Sequence, residues 1–150
     1  MAVVEPPVNR DLWLLCPKFL EKVNTGIARA KKDGYPVEVF EGWRSPQRQD
    51  YLYSKGRTLP GKTVTNARAW ESLHAYGLAV DVALKINGKW SWDGPFDKIA
   101  QYFLEGMGLE WAGFKGELAH FEMRKGLRLD QIQDIVKNQG LQRLWLEVAA

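Results

Sequence analysis

The run Leu78-Ala79-Val80-Asp81-Val82-Ala83-Leu84 constrains the fold more than any other stretch of this chain. It is apolar except at its centre, and it reads as a buried strand. A carboxylate there needs a partner, because a lone buried charge costs several kcal/mol or is forced to neutralise. Asp81 must therefore meet a cation, either a Lys or Arg side chain or a metal. The strand runs on to Ile86, where Asn87-Gly88, ready for positive φ, predicts a two-residue hairpin turn into a second strand at Lys89 to Trp92.

The elements around this hairpin follow from caps and periodicity. Pro17 to Lys32 reads as a helix with Phe19, Val23, Ile27 and Ala30 on one stripe, proline in its first turn and Gly34 just past its end. Val37 to Glu41 alternates like a strand, and Ser45-Pro46 caps a short helix that Gly56 closes. Arg57 to Trp70 is a long polar loop. Asp93 caps a helix with Pro95 near its start and Gly106 near its end. Leu109 to Ala112 is a strand, the Gly113 to Gly116 turn leads into a strand around His120, and Asp130 opens a helix broken at Gly140 before an amphipathic tail, Leu141 to Val148. Strands in the middle, helices at both ends and a hairpin predict an α+β fold: a small antiparallel sheet flanked by helices.

At 150 residues, with 45% hydrophobic and 12% aromatic content, the chain can bury one sizeable core. No repeat or composition break appears, so residues 1–150 are expected to form a single domain. The only cysteine, Cys16, excludes an intramolecular disulfide and a thiolate zinc cluster, and reads as a small buried apolar residue. The N-terminus lacks a charged region followed by a hydrophobic segment, and no apolar stretch reaches membrane-spanning length, so synthesis in the cytoplasm is expected. A net charge of +3 and a pI near 9.0 favour anionic surfaces, but the basic residues form no run and no nucleic-acid motif, which argues against DNA or RNA binding. Seven tryptophans are many for this length, and Trp90, Trp92 and Trp111 are candidates to wall a groove.

Both histidines of the chain stand near carboxylates, in Ser72-Leu73-His74-Ala75-Tyr76-Gly77-Leu78-Ala79-Val80-Asp81 and in Glu117-Leu118-Ala119-His120-Phe121-Glu122. Gly77 can supply a turn between His74 and Asp81. Strand alternation places Leu118, His120 and Glu122 on one face and Ala119, Phe121 and Met123 on the other. His74, Asp81 and His120 together offer three ligands and one open tetrahedral position, the coordination of a catalytic rather than a structural zinc. Spacing alone leaves a second reading open, in which the histidines are structural and Asp81 pairs with a Lys or Arg. Glu122 either orients His120 or forms an ordinary salt bridge, and Ser72 either holds the His74 loop by a hydroxyl hydrogen bond or caps the turn.

The blocks Ser72-x-His74-x-x-Gly77-x-Ala79-x-Asp81 and Glu117-x-x-His120 resemble the signature of the zinc D,D-/L,D-peptidases of peptidoglycan, the M15 group that includes the VanX and VanY enzymes and phage endolysins. The resemblance extends upstream through Glu41-Gly42-Trp43-Arg44-Ser45-Pro46-Gln47-Arg48-Gln49, Leu52 to Thr58 and Gly61 to Ala67, so it spans about positions 37 to 123. The chain is most similar to the L-alanyl-D-glutamate endopeptidase branch of phage lysins. The resemblance implies the fold shared with the hedgehog signalling domain, Zn2+ on His74, Asp81 and His120, and Glu117 as general base. It further implies Arg44 in substrate binding, and Ser72 is expected to join it as a second substrate-binding residue. The expected partner is the stem peptide of bacterial peptidoglycan, cut between L-alanine and D-glutamate; cutting of D-Ala-D-Ala is the alternative activity, and a non-catalytic zinc domain the alternative class. The expected lysin is a monomer with no separate wall-binding module that reaches the wall after holin-mediated release.

Overall fold

The structure, a computed structural model, describes residues 3–111, 113 and 118–150. Helix α1 (Pro17–Lys32) has proline in its first turn and buries Phe19, Val23, Gly26 and Ala30. Strand β1 (Val37–Glu41) leads through a short turn into helix α2 (Pro46–Ser54), whose cap Ser45 accepts a hydrogen bond from the Arg48 amide. Strand β2 (Ala79–Ile86) and β3 (Lys89–Ser91) form the hairpin expected of Asn87-Gly88, with φ of 52° and 78° at those residues. Helix α3 (Phe96–Leu104), strands β4 (Glu110–Trp111) and β5 (His120–Glu122), and helices α4 (Leu129–Gln139) and α5 (Leu141–Ala149) complete the chain.

The sheet is antiparallel in the order β1-β2-β5-β4, with β3 pairing the far end of β2 beyond β5. One face of β2, Val80, Val82 and Leu84, points into the core with Val37, Val39 and Phe121. Helices α1 and α3 cover that face, and Phe103 of α3 stacks on Phe121 with ring centroids 4.6 Å apart. The opposite face carries Asp81. The C-terminal tail is the helix α5, which buries Leu144 and Val148, and its Trp145 Nε1 donates to the Tyr76 carbonyl at 2.8 Å.

Three local readings need correction. Asp93 does not cap α3: Pro95 stands at the cap without a side-chain bond, and the Asp93 amide instead donates to Ser91 Oγ. Asp130 lies inside the first turn of α4 and pairs with Arg128, which holds the cap position. Trp111 turns its indole N–H to the Leu118 carbonyl at 2.8 Å rather than to a groove. The alternation of β1 is also broken. A bulge between Val39 and Glu41 sets Glu41 opposite Asp81 instead of on the core face of Val37 and Val39.

Candidate active site

The cross-strand register aligns Glu41 of β1, Asp81 of β2 and His120 of β5 in one row. Directly opposed residues share a face, so these three side chains emerge together on the side away from α1 and α3. His74 reaches the row from a 3₁₀ turn, Leu73–Tyr76. Ser72 Oγ accepts from the His74 amide at the start of this turn, and Gly77, at φ 69°, ends it. A second tie runs from the Arg44 amide to the His74 carbonyl.

The ligand atoms of His74, Asp81 and His120 lie within 4.8 Å of one another. His74 is buried, and its Nδ1 is 2.7 Å from the Gly42 carbonyl. A carbonyl only accepts, so Nδ1 carries the proton and Nε2 is left with its lone pair when the ring is neutral. Nε2 faces Asp81 Oδ1 at 3.3 Å without hydrogen-bond alignment and has no other partner among the described residues. His120 Nδ1 lies 3.0 Å from the same Oδ1. Two imidazoles converging on one carboxylate oxygen, one of them with an orphaned buried nitrogen, are the donor set of a divalent metal such as zinc, and the residues fit that ion.

Burial alone would lower the basicity of His120, but the hydrogen bonds to Asp81 and Glu122 outweigh it and push its pKa up to about 10. Burial would raise the pKa of Asp81, but the facing His74 and His120 hold it well below the usual carboxylate range.

Arg44 does not stand free in the cleft. Its guanidinium is buried and donates to Glu41 at 2.8 Å, Gln49 at 3.0 Å and Asp81 Oδ2 at 3.1 Å. Asp81 is thus divided, Oδ2 to the arginine and Oδ1 to the histidines. Glu41, itself buried, also binds Arg48, which reaches Glu5 at 2.9 Å. Sequence reasoning missed Glu41 and Arg48 as parts of the site. The signal was the charged spacing Glu41, Arg44, Arg48 beside a strand end, and only the bulge brings it to bear on Asp81. Glu117 lies outside the described residues.

These side chains floor a cleft of about 580 Å³, walled by Phe40, Leu52, Val64, Trp92 and Leu118. Trp92 lines it, whereas Trp90 packs edge-on against Phe40 at 5.3 Å and lines a separate hollow with Arg10 and Lys85. No helix among the described residues is long and apolar enough to cross a membrane.

An α+β scaffold with two histidines and an aspartate in an open cleft is an arrangement suited to a metal-dependent hydrolase. The chain matches the VanY family, described as D-alanyl-D-alanine carboxypeptidase, over residues 14–103. It is 36% identical over 137 residues to the peptidoglycan L-alanyl-D-glutamate endopeptidase CwlK of Bacillus subtilis (strain 168), covering 81% of this chain and 79% of that one. The solved L-Ala D-Glu endopeptidase ChiX of Serratia marcescens is similar at 25% identity and a TM-score of 0.55, over 75% of this chain and 82% of that one. A vancomycin-resistance D,D-pentapeptidase VanY bound to Zn(II) shares the fold at 15% identity and a TM-score of 0.51, over 85% and 82% of the two chains. The chain belongs to the VanY family and is a metallopeptidase.

Proposed function

We propose that this protein is a zinc-dependent peptidoglycan endopeptidase that hydrolyses the amide between L-alanine and D-glutamate of the stem peptide. The observation that carries the reading is the 36% identity, over most of both chains, to an enzyme of that name. His74, Asp81 and His120 would hold the ion, which supplies Lewis acidity to the scissile carbonyl and brings the pKa of a hydrolytic water toward about 7. Glu117, three residues before His120, takes the proton of that water and delivers it to the leaving amine. Arg44 keeps Asp81 turned toward the histidines, and its positive charge at the cleft floor favours an anionic substrate and developing negative charge. Trp92, Phe40 and Leu118 give the stem peptide an apolar wall, and Ser72 fixes the turn that carries His74.

In this reading residues 1–150 act as a single catalytic domain and a monomer, as an endolysin that reaches the wall after holin-mediated release in a phage lytic cycle. The description of the family favours a second activity, removal of terminal D-alanine at the same site. Mass spectrometry of fragments released from purified peptidoglycan distinguishes the two. New N-terminal D-glutamate is expected, and release of D-alanine in its place would overturn the endopeptidase reading in favour of the carboxypeptidase.

A further inference from the structure

We infer that Glu122, clamped by Arg124, is a positioning residue that fixes the orientation and tautomer of His120 for metal binding; this rests on the metallopeptidase reading above but not on the identity of the scissile bond. His120 presents its two ring nitrogens to different carboxylates. Nδ1 faces Asp81 Oδ1 at 3.0 Å, on the side of the metal-binding cluster, and Nε2 faces Glu122 Oε1 at 2.9 Å on the opposite edge of the ring. Glu122 is therefore placed behind the ligand, not among the ligands. With the Nε2 proton held by Glu122, Nδ1 is the ring nitrogen left to exchange its proton for the ion, and the ring cannot swing away from the cluster.

The two oxygens of Glu122 have separate tasks. Oε1 serves His120, while Oε2 takes both the Nε of Arg124, at 2.7 Å, and a terminal guanidinium nitrogen at 2.5 Å. An ordinary surface ion pair would leave the carboxylate free to turn, but this one is only 15% exposed and held at both ends. The sheet supplies the reason for the arginine. Glu110 of β4 stands directly opposite Glu122 of β5, a like-charge pair that is unfavourable across a sheet. Arg124 lies 3.4 Å from Glu110 as well and so neutralises both carboxylates while aiming one of them. His120, Glu122 and Arg124 follow one another at every second position, so this support is built from a single strand and its exit.

The test is zinc affinity, measured by competition with a calibrated chelator on folded wild-type, E122A and E122Q proteins, without substrate. E122A is expected to bind zinc roughly 10–100-fold more weakly. E122Q, which retains an oxygen for the imidazole N–H but cannot neutralise Arg124, is expected to fall between E122A and wild type. In the cobalt-substituted proteins the visible absorption band of E122A should shift, because the ring is free to tilt. A residue that merely stabilised the sheet would lower the melting temperature of the metal-free chain without changing affinity per folded molecule or the cobalt band. Unchanged affinity in E122A and E122Q would overturn the inference while leaving the metallopeptidase reading intact. Failure of the wild-type protein to bind zinc would overturn both.

Discussion

In the proposed mechanism, Glu117 is the residue that separates chemistry from metal binding. It stands three positions before His120 and is not needed to complete the ligand set, since His74, Asp81 and His120 already converge. Glu117→Gln keeps the size of the side chain but cannot accept a proton. The variant is expected to hold a full complement of zinc while peptide release falls about 10²–10⁴-fold, the range for a positioned acid–base group. Metal content and release rate measured on one preparation check this; near-normal release would exclude the residue as base, and lost metal would make it a ligand. At this scale much of the site was legible. The only two histidines and the one charge inside an apolar run could be picked out because each is an anomaly in its surroundings. Glu41 was not legible, because in plain alternation it belongs to the core face. Arg44 stood out in the sequence as a candidate, but its buried partners did not, and these direct it toward Asp81.

Elements with their own stop signals were read closely. Helix α1 begins at Pro17 and ends before Gly34, and the hairpin turns at Asn87-Gly88, because these residues act on the backbone directly. What failed were features decided by tertiary contact. The β1 bulge leaves no mark in residue type, and the 3₁₀ turn of His74 is too short to show a period. That turn has a sensitive point at Gly77. Its φ of 69° suits glycine, and a Cβ there would lie 2.6 Å from the Leu14 carbonyl oxygen and 3.1 Å from the Trp145 ring. The carbonyl belongs to the backbone and cannot rotate aside. Gly77→Ala is expected to destabilise the protein by roughly 1–3 kcal/mol, through positive φ and the clash together. Because the strain sits three residues from His74, zinc affinity should fall with it. Thermal melting and a zinc titration check both effects, and an unaltered melting temperature would contradict the geometry.

For the molecule as a whole, the site is a store of opposed charge whose contribution depends on pH. His120 has its folded pKa raised from 6.5 to about 10, so it stabilises the metal-free chain fully below its unfolded value, and that contribution is lost as pH rises toward 10. Asp81 is shifted downward from 3.8, so its contribution is present above that value and lost as pH falls below it. Both are complete only between about 3.8 and 6.5. The melting temperature of chelator-treated protein should therefore be higher near pH 6 than near pH 9. The gain from added zinc should run the other way, growing with pH as the ion displaces the proton from His120. Equal melting temperatures at the two pH values without metal would refute this account.

The row that joins Glu41, Asp81 and His120 has one more implication for the whole chain. Side chains alternate with a period of two, so sliding β5 along β2 by a single residue would send His120 into the core and bring Ala119 or Phe121 out beside Asp81. Such a misaligned molecule would keep its helices and much of its sheet but have no third ligand. With the proposed ligand set, the zinc bound per chain after refolding would count the molecules whose strands have found the right partners, and the ion would act as a proofreader of the fold that holds it.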